Sequence, residues 1–397
     1  MKDPDIDTHS HKIYVNKRLR GFGESIFAEM NRLAQQHKAV NLGQGAPDFD
    51  GPQFVKDAAI EAINNKSNQY APLAGLPALT EAIAGRFKKD SGIETNPQTE
   101  ITVTSGCTEA IAATLLGLLE PGDEVVVFEP SYDSYVPCIC LAGATARFVA
   151  LTPPDFVIDA KKLDAACNER TRAIIVNTPH NPSGHACTRE ELSAIAEIAQ
   201  KRDLIVITDE VYEHLTYERE HIRMATLPGM RNRTITLSSL GKTYSMTGWK
   251  IGWAIASPEL SLAVRAAHQF LTFSAPPPLQ WAAATALSCS DDYFTELCST
   301  FNHRRNLLME GLGNVGFTVF KPHAGYFVLV DHRAFGFPSD RMFCRYMTEE
   351  VGVAAIPASA LYANPEHGEN LVRFAFCKSE KTIEAALDRL HARLRRP

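Results

Sequence analysis

The sequence predicts an α/β protein: a large domain with a mostly parallel sheet covered by helices, plus a smaller α+β domain. Three observations predict it. Apolar, β-branched segments alternate with helical stretches through the middle of the chain, as expected of strands buried on both faces of a sheet. Four polar clusters stand at or just beyond the ends of such segments, where open parallel sheets bind ligands. The last third changes character, with short strands and helices of its own.

The elements follow in order. ITVTS (101–105) is β-branched and leads into Gly106, then a helix through Leu119. PGDEVVVFEP is a turn followed by a buried strand, and a helix from about Asp133 leads to the strand ATARFVAL. RAIIVNTP, a helix from Thr188, LIVITDE, RTITLSS and WKIGWAIA continue the alternation. The proline-rich segment 274–278 predicts a loop. From about residue 290 come a helix containing Asn302–Gly311, then GFTVF, GYFVLVD, a helix near Asp340–Glu350, VAAIP, NLVRFAF and a final amphipathic helix. We expect an N-terminal arm over 1–45 that joins the small domain, a large domain over 46–285 and a small domain over 286–397.

Composition excludes several classes. With 45% hydrophobic and 22% charged residues over 397 positions, the chain has the core of an ordinary globular protein. A net charge of -6 leaves no nucleic-acid footprint. Nine cysteines, an odd number without framework spacing, point to reduced thiols. The start, MKDPDIDTHSHK, has no apolar core, and runs such as Ile111–Leu119 are too short to span a bilayer. A cytoplasmic protein without nucleic-acid or membrane partners is expected. Cys138 with Cys140, or His180, His185 and Cys187, lack a repeating zinc-ligand spacing, so no metal is expected. His214 and His221 read as surface or local hydrogen-bonding residues.

The polar clusters carry the chemistry. In SSLGKTYSMTGWK (238–250), Gly241 precedes Lys242, Ser238 and Ser239 lie upstream, and Lys250 adds a second cation. A lone lysine is ordinarily a solvated charge. A loop of this composition, however, presents backbone donors, hydroxyls and Lys250 to a phosphate while Lys242 reaches an aldehyde. An imine-forming amine must be available neutral, which burial and a nearby cation promote. ITDEVYEH (207–214) ends a strand in carboxylates; alone, Asp209 would be a helix cap. In a ligand site it holds a pyridine nitrogen protonated, with Tyr212 near the same ring. NTPHNPSG (177–184) is a tight turn by composition, and it fixes Asn181 where it can donate to a ring oxygen. SGCTEA (105–110) sets Gly106 and Thr108 at a helix start, whose free N–H groups attract anions.

Together with NLGQGAPDF, NQYAP, EPSYDSY and LVRFAF, these residues resemble the fold-type-I, class I/II pyridoxal-phosphate aminotransferases from about Gly21 to the C-terminus, nearest the methionine and kynurenine–oxoglutarate (glutamine) transaminases. The resemblance implies pyridoxal 5′-phosphate held by Lys242 as a Schiff base, with Lys242 also moving the substrate's α proton. It implies that Asp209 pairs with the ring nitrogen, Asn181 and Tyr212 hold the ring hydroxyl, and Tyr132 stacks on the ring. Gly106, Cys107, Thr108, Ser239 and Lys250 would cradle the phosphate. Tyr70 would reach the phosphate across a homodimer interface, and Arg373 would clamp the substrate carboxylate with Asn181 and the Gly45 backbone.

Some positions depart from the family pattern. Cys107 stands where Ala or Gly is frequent, a change expected to matter little if only its backbone is used. Ala46 replaces a common Phe, and Phe27 stands where kynurenine-type relatives carry Trp. The segment HQFLTFSAPPP offers Phe270 and Phe273, the latter brought in from the partner in relatives. Neutral, apolar or aromatic donors (methionine, glutamine, phenylalanine, kynurenine) are therefore expected, transferring to a 2-oxo acid by a ping-pong route. Arg265 reads as an outward salt-bridging residue. The alternative on the same scaffold is a cysteine-conjugate β-lyase. A regulatory protein with a degenerate domain is disfavoured: only about forty residues precede NLGQG, and Lys242, Asp209 and Arg373 are retained.

Overall fold

The computed structural model describes residues 14–394, so the polar start of the chain lies outside the described residues. The large sheet uses β2 (Ile101–Thr104), β3 (Glu124–Glu129), β4 (Thr145–Ala150), β5 (Thr171–Asn177), β6 (Ile205–Asp209), β7 (Thr234–Ser239) and β8 (Gly252–Ile255) in the order β2-β8-β7-β6-β5-β3-β4. β1 (Val40–Asn41) stands apart from it. Only β8 runs antiparallel to its neighbours, so the expected mostly parallel sheet is what the chain forms.

The reason lies in the period of two along each strand. Val125, Val127, Ile175 and Ile207 point into one apolar cluster, while Val126, Ile174, Val176 and Val206 point into another on the opposite face. The first cluster is covered by α4 (Gly106–Leu118), α5 (Tyr135–Leu141) and α9 (Pro258–Leu271), the second by α6 (Ala160–Ala166) and α7 (Arg189–Lys201). α7 starts where Thr188 predicted: its side chain accepts from the Glu191 N–H while Glu191 reaches back to the Thr188 N–H. Losing such a cap costs about 1 kcal/mol.

The C-terminal region holds β9 (Thr318–Phe320), β10 (Phe327–Asp331), β12 (Ile356–Pro357) and β13 (Leu371–Ala375) in an antiparallel sheet, ordered β12-β13-β10-β9. Here β11 (Val353–Ala354) pairs with β1, Val40 opposite Val353, so the N-terminal segment returns to the C-terminal one. Met30 and Leu33 of α1 (Ile26–Gln36) join the same core as Phe343 of α12 (Asp340–Tyr346) and Ile383 of α13 (Glu380–Arg393). α2 (Gln53–Asn65), α3 (Pro77–Ser91) and α10 (Pro277–Leu287) share a further cluster around Ile101 and Trp253.

Several local expectations change. The 274–278 loop ends early, because Pro277 opens α10 at the one helical position that needs no N–H. Lys242 sits on a single helical turn, α8 (Leu240–Thr243), rather than in an open loop. The helix containing Asn302–Gly311 is much longer, α11 (Asp291–Val315), ended by Gly316 at φ 114°. α12 continues into a π turn, Met347–Val351. Among the described residues no helix is long and apolar enough to cross a membrane.

Candidate active site

The carboxyl ends of β2, β5, β6 and β7 open on one edge of the sheet, which brings the four polar clusters together. They border a cavity of about 350 Å³. Its wall includes Gly106, Cys107, Thr108, Tyr132, Asn181, Asp209, Tyr212, Ser239, Lys242 and Lys250, with Phe27 of α1, Gly45 and Arg373 of β13. Tyr70 and Phe273 are not in this wall. They stack edge to face on the surface, ring centroids 5.6 Å apart, with Tyr70 84% exposed.

Each polar side chain has a distinct environment. Asp209 is buried, and loss of water raises its proton affinity; against this, the Tyr135 hydroxyl donates to Oδ2 at 2.7 Å. The Cys107 thiol lies 3.7 Å from Oδ1, so the Cys107 side chain is aimed at the acid. Among the described residues Asp209 has no ion-pair partner within 4.0 Å. Asn177 donates to the Asp209 carbonyl at 2.9 Å and accepts from the Asn181 N–H at 2.7 Å, locking the β5 and β6 ends together.

Lys242 Nζ lies 5.8 Å from the Tyr212 ring centroid and 5.4 Å from that of Tyr326, and burial holds its ammonium below the usual lysine range. Arg373 is 2% exposed, and desolvation brings it down to about 10. Its Nη1 donates to Asn181 Oδ1 at 3.0 Å and Nη2 to the Gly43 carbonyl at 2.8 Å; among the described residues Nε has no partner. The guanidinium lies over Phe327 at 4.1 Å and Phe27 at 4.8 Å. The carbonyl it meets is that of Gly43; the Gly45 carbonyl instead takes the Tyr326 hydroxyl at 2.7 Å.

The start of α4 is shaped for close approach. Gly106 has φ 76°, and a Cβ there would meet Lys250 Nζ at 3.2 Å. Lys250 Nζ also stands 3.5 Å from the Thr108 hydroxyl. Ser238 turns away to donate to Glu213 at 2.7 Å, so of the two serines only Ser239 faces the cavity. Arg265 is not an outward salt bridge: it donates to the Thr102 hydroxyl and to the Gln98 and Ile101 carbonyls. His221 and His214 are local partners of Glu210, and of Asp90 and Glu213, rather than surface residues. Folding does bring His185, Cys187 and Glu191 together, but Glu191 is already bonded to His185, Thr188 N–H and Ile158 N–H.

These residues fit pyridoxal 5′-phosphate. Gly106 leaves room beside a cation at a helix start, a buried carboxylate without an ion-pair partner among the described residues faces the same cavity, and a desolvated lysine lines it as well. The family profile described as aminotransferase class I and II matches residues 37–390. The chain belongs to the class I and II aminotransferases. A solved Mycobacterium tuberculosis N-succinyldiaminopimelate aminotransferase is 46% identical with a TM-score of 0.93, over 95% of this chain and 99% of that one. Escherichia coli methionine aminotransferase is 40% identical over 96% of this chain and 99% of its own. Dictyostelium discoideum kynurenine–oxoglutarate transaminase is 37% identical over 94% and 95%. The chain is thus a transaminase of the fold-type-I class, with pyridoxal 5′-phosphate as cofactor.

Proposed function

We propose that this aminotransferase moves the amino group of a neutral, apolar or aromatic L-amino acid to a 2-oxo acid, as a cytoplasmic homodimer. When bound, pyridoxal 5′-phosphate supplies an electron sink for the charge that develops at the substrate α carbon. Gly106, Cys107, Thr108, Ser239 and Lys250 hold the phosphate, where α4 offers free N–H groups and a positive dipole end. Tyr132 stacks on the ring, Asn181 and Tyr212 hold its hydroxyl, and Asp209 keeps its nitrogen protonated. Lys242, desolvated and so more readily neutral, anchors the cofactor and then moves the proton at the substrate α carbon. Arg373 and Asn181 orient the substrate carboxylate, while Phe27 and Gly45 bound the pocket.

One observation carries the donor class. The cations in the cavity wall are Lys242, Lys250 and Arg373, each with a task, and Asp133 at the rim opposes a further carboxylate. The names of two relatives, a methionine aminotransferase and a kynurenine–oxoglutarate transaminase, support the same reading. N-succinyldiaminopimelate, in the name of the third, is the second reading; its succinyl carboxylate would need a cation from outside this wall. Nothing in the cavity favours elimination.

The dimer is supported by Tyr70 and Phe270, each 84% exposed, beside Phe273. Large aromatic rings so exposed mark an interface, and a partner would receive Tyr70 and Phe273 at its own cavity. The joining of the arm over 1–45 to the small domain over 286–397 is supported by the β1–β11 pairing, whereas the boundary with the large domain over 46–285 falls within α10, which packs on α2 and α3, and so lies past Leu287.

The test is a half-reaction. Methionine, phenylalanine, glutamine and N-succinyldiaminopimelate are each added to the purified enzyme without oxo acid, and the visible cofactor band is followed. Loss of the band with methionine and phenylalanine, reversed by a 2-oxo acid, is expected. Conversion by N-succinyldiaminopimelate alone would replace the donor assignment.

A further inference from the structure

We propose that Glu109 is a positioning residue that fastens the phosphate cradle at the start of α4 to the 272–274 turn, so that cofactor binding and the seating of Phe273 are coupled. The proposal rests on the phosphate location given above and gives the turn a role in retaining the cofactor.

Glu109 lies in the first turn of α4 but is not in the cavity wall. Its Oε2 accepts the N–H of Ser105, the residue that opens the cradle. Its Oε1 lies 2.6 Å from His268 Nδ1, within hydrogen-bonding distance, and accepts the Thr272 hydroxyl at 2.9 Å. One carboxylate is therefore held by two separate elements, the start of α4 and the end of α9. His268 is fully buried, and its carbonyl in turn accepts the N–H groups of Thr272 and Phe273, both at 3.1 Å. The histidine grips the turn with its backbone and Glu109 with its ring.

Two further observations make this joint stiff. α4 and α9 are in such close contact that a Cβ on Gly117 would meet the Ala263 carbonyl oxygen at 1.9 Å, so neither helix can slide on the other. Phe273 has φ +64°, a conformation that a non-glycine residue keeps only where its surroundings impose it. Those surroundings include the His268 carbonyl, which accepts its N–H, the Tyr70 ring against its own, and the preceding Thr272, which Glu109 holds.

The charge of Glu109 supports a positioning role over a binding one. A carboxylate in the first turn opposes a phosphate at the same helix end, so it weakens binding unless its geometry returns more. It does so by fixing Ser105, and with it the Gly106 turn that presents the cradle's N–H groups. A group that tightens the cradle also pulls on Thr272 through the same carboxylate, and the coupling is reciprocal.

The experiment titrates the apo-protein with pyridoxal 5′-phosphate by tryptophan fluorescence, Trp249 being next to Lys250, and follows hydrogen exchange at 272–274 with and without the cofactor. Glu109→Ala is expected to weaken binding by roughly 10- to 100-fold. Thr272→Val, which touches nothing in the cavity, is expected to weaken it several-fold and to abolish the cofactor-induced protection at 272–274. Glu109→Gln, which keeps an acceptor for Ser105, is expected to recover much of the loss. Should Glu109→Ala not fold, Thr272→Val alone decides. Wild-type affinity in Thr272→Val, with exchange at 272–274 indifferent to cofactor, overturns the proposal. A wild-type apo-protein that binds no pyridoxal 5′-phosphate would instead overturn the reading of the cavity.

Discussion

Asp209 and Glu210 are neighbours at the end of β6, and their surroundings are opposite. Asp209 faces the cavity with a tyrosine hydroxyl, a thiol and, among the described residues, no ion-pair partner, Lys242 acting on it only from a distance. Glu210 faces away, fully buried, and meets Arg223 Nη1 at 2.7 Å and His221 at 2.8 Å. Arg223 also binds Glu213 and, at 3.2 Å, Asp90. A buried carboxylate is tolerated only with compensation. Behind the sheet the compensation is built into the chain; in front it is left for a ligand. The difference separates a carboxylate built into the fold by ion pairs from one that lines the cavity without them.

The comparison can be broken most forcefully at the cavity. Lys242→Ala should lower kcat by about 10⁴-fold, the upper range for a positioned proton-transfer group, while the urea midpoint stays near wild type. Arg223→Met should do the reverse: stability falls by about 3–5 kcal/mol because three carboxylates, Glu210, Glu213 and Asp90, lose its cation, with kcat per folded molecule retained. Equal damage to both properties in both variants would erase the distinction between front and back. Arg373→Leu should cost roughly 10²- to 10³-fold in kcat/KM, with Asn181 losing its partner and the carboxylate its clamp.

Two smaller effects sharpen the contrast through pH. Burial would raise Glu213, but Arg223 and then His214 outweigh it and hold it down to about 2, against an ordinary 4.5. Its contribution to stability is therefore complete above the ordinary value and is lost as pH falls from about 4.5 through about 2, measurable as an acid-unfolding limb that Glu213→Gln removes. Asp209 is shifted the other way by desolvation, with Tyr135 opposing the shift. Tyr135→Phe should then move the acid limb of kcat/KM to higher pH and lower kcat about tenfold, the worth of one hydrogen bond to a charged group. An unmoved limb would mean that Tyr135 only fills space.

Much of the site was legible because each element ends in a recognisable turn. The β-branched runs, the Thr188 cap and the Gly106 turn gave strands and helix starts within a few residues. Tyr135 was missed although it lies three positions after Tyr132: it opens α5, Tyr132 precedes the helix, and their rings meet edge to face at 5.7 Å. Asn177 was missed because it reads as the last residue of a strand, and Tyr326 and Phe327 because they read as core. Ser238 and Ser239 looked equivalent in sequence, yet strand alternation sends them to opposite faces.

The family resemblance, not a local pattern, pointed to Arg373 as a carboxylate clamp. The sequence by itself determined the alternation of strands and helices, the sheet edge that carries the polar turns, and the residue types suited to an aldehyde and a pyridine nitrogen. These follow from local chemistry: side-chain period, turn residues and charge. Only the tertiary structure decided which carboxylate faces the cavity, that the Cys107 thiol meets Asp209, that Asn181 and the Gly43 carbonyl hold Arg373, and that Glu109 joins α4 to the turn after α9. Such facts depend on contacts between residues separated by 100 positions or more, such as Cys107 with Asp209 or Glu109 with His268. Burial and pairing at those contacts are set by how whole elements pack, which no local pattern encodes.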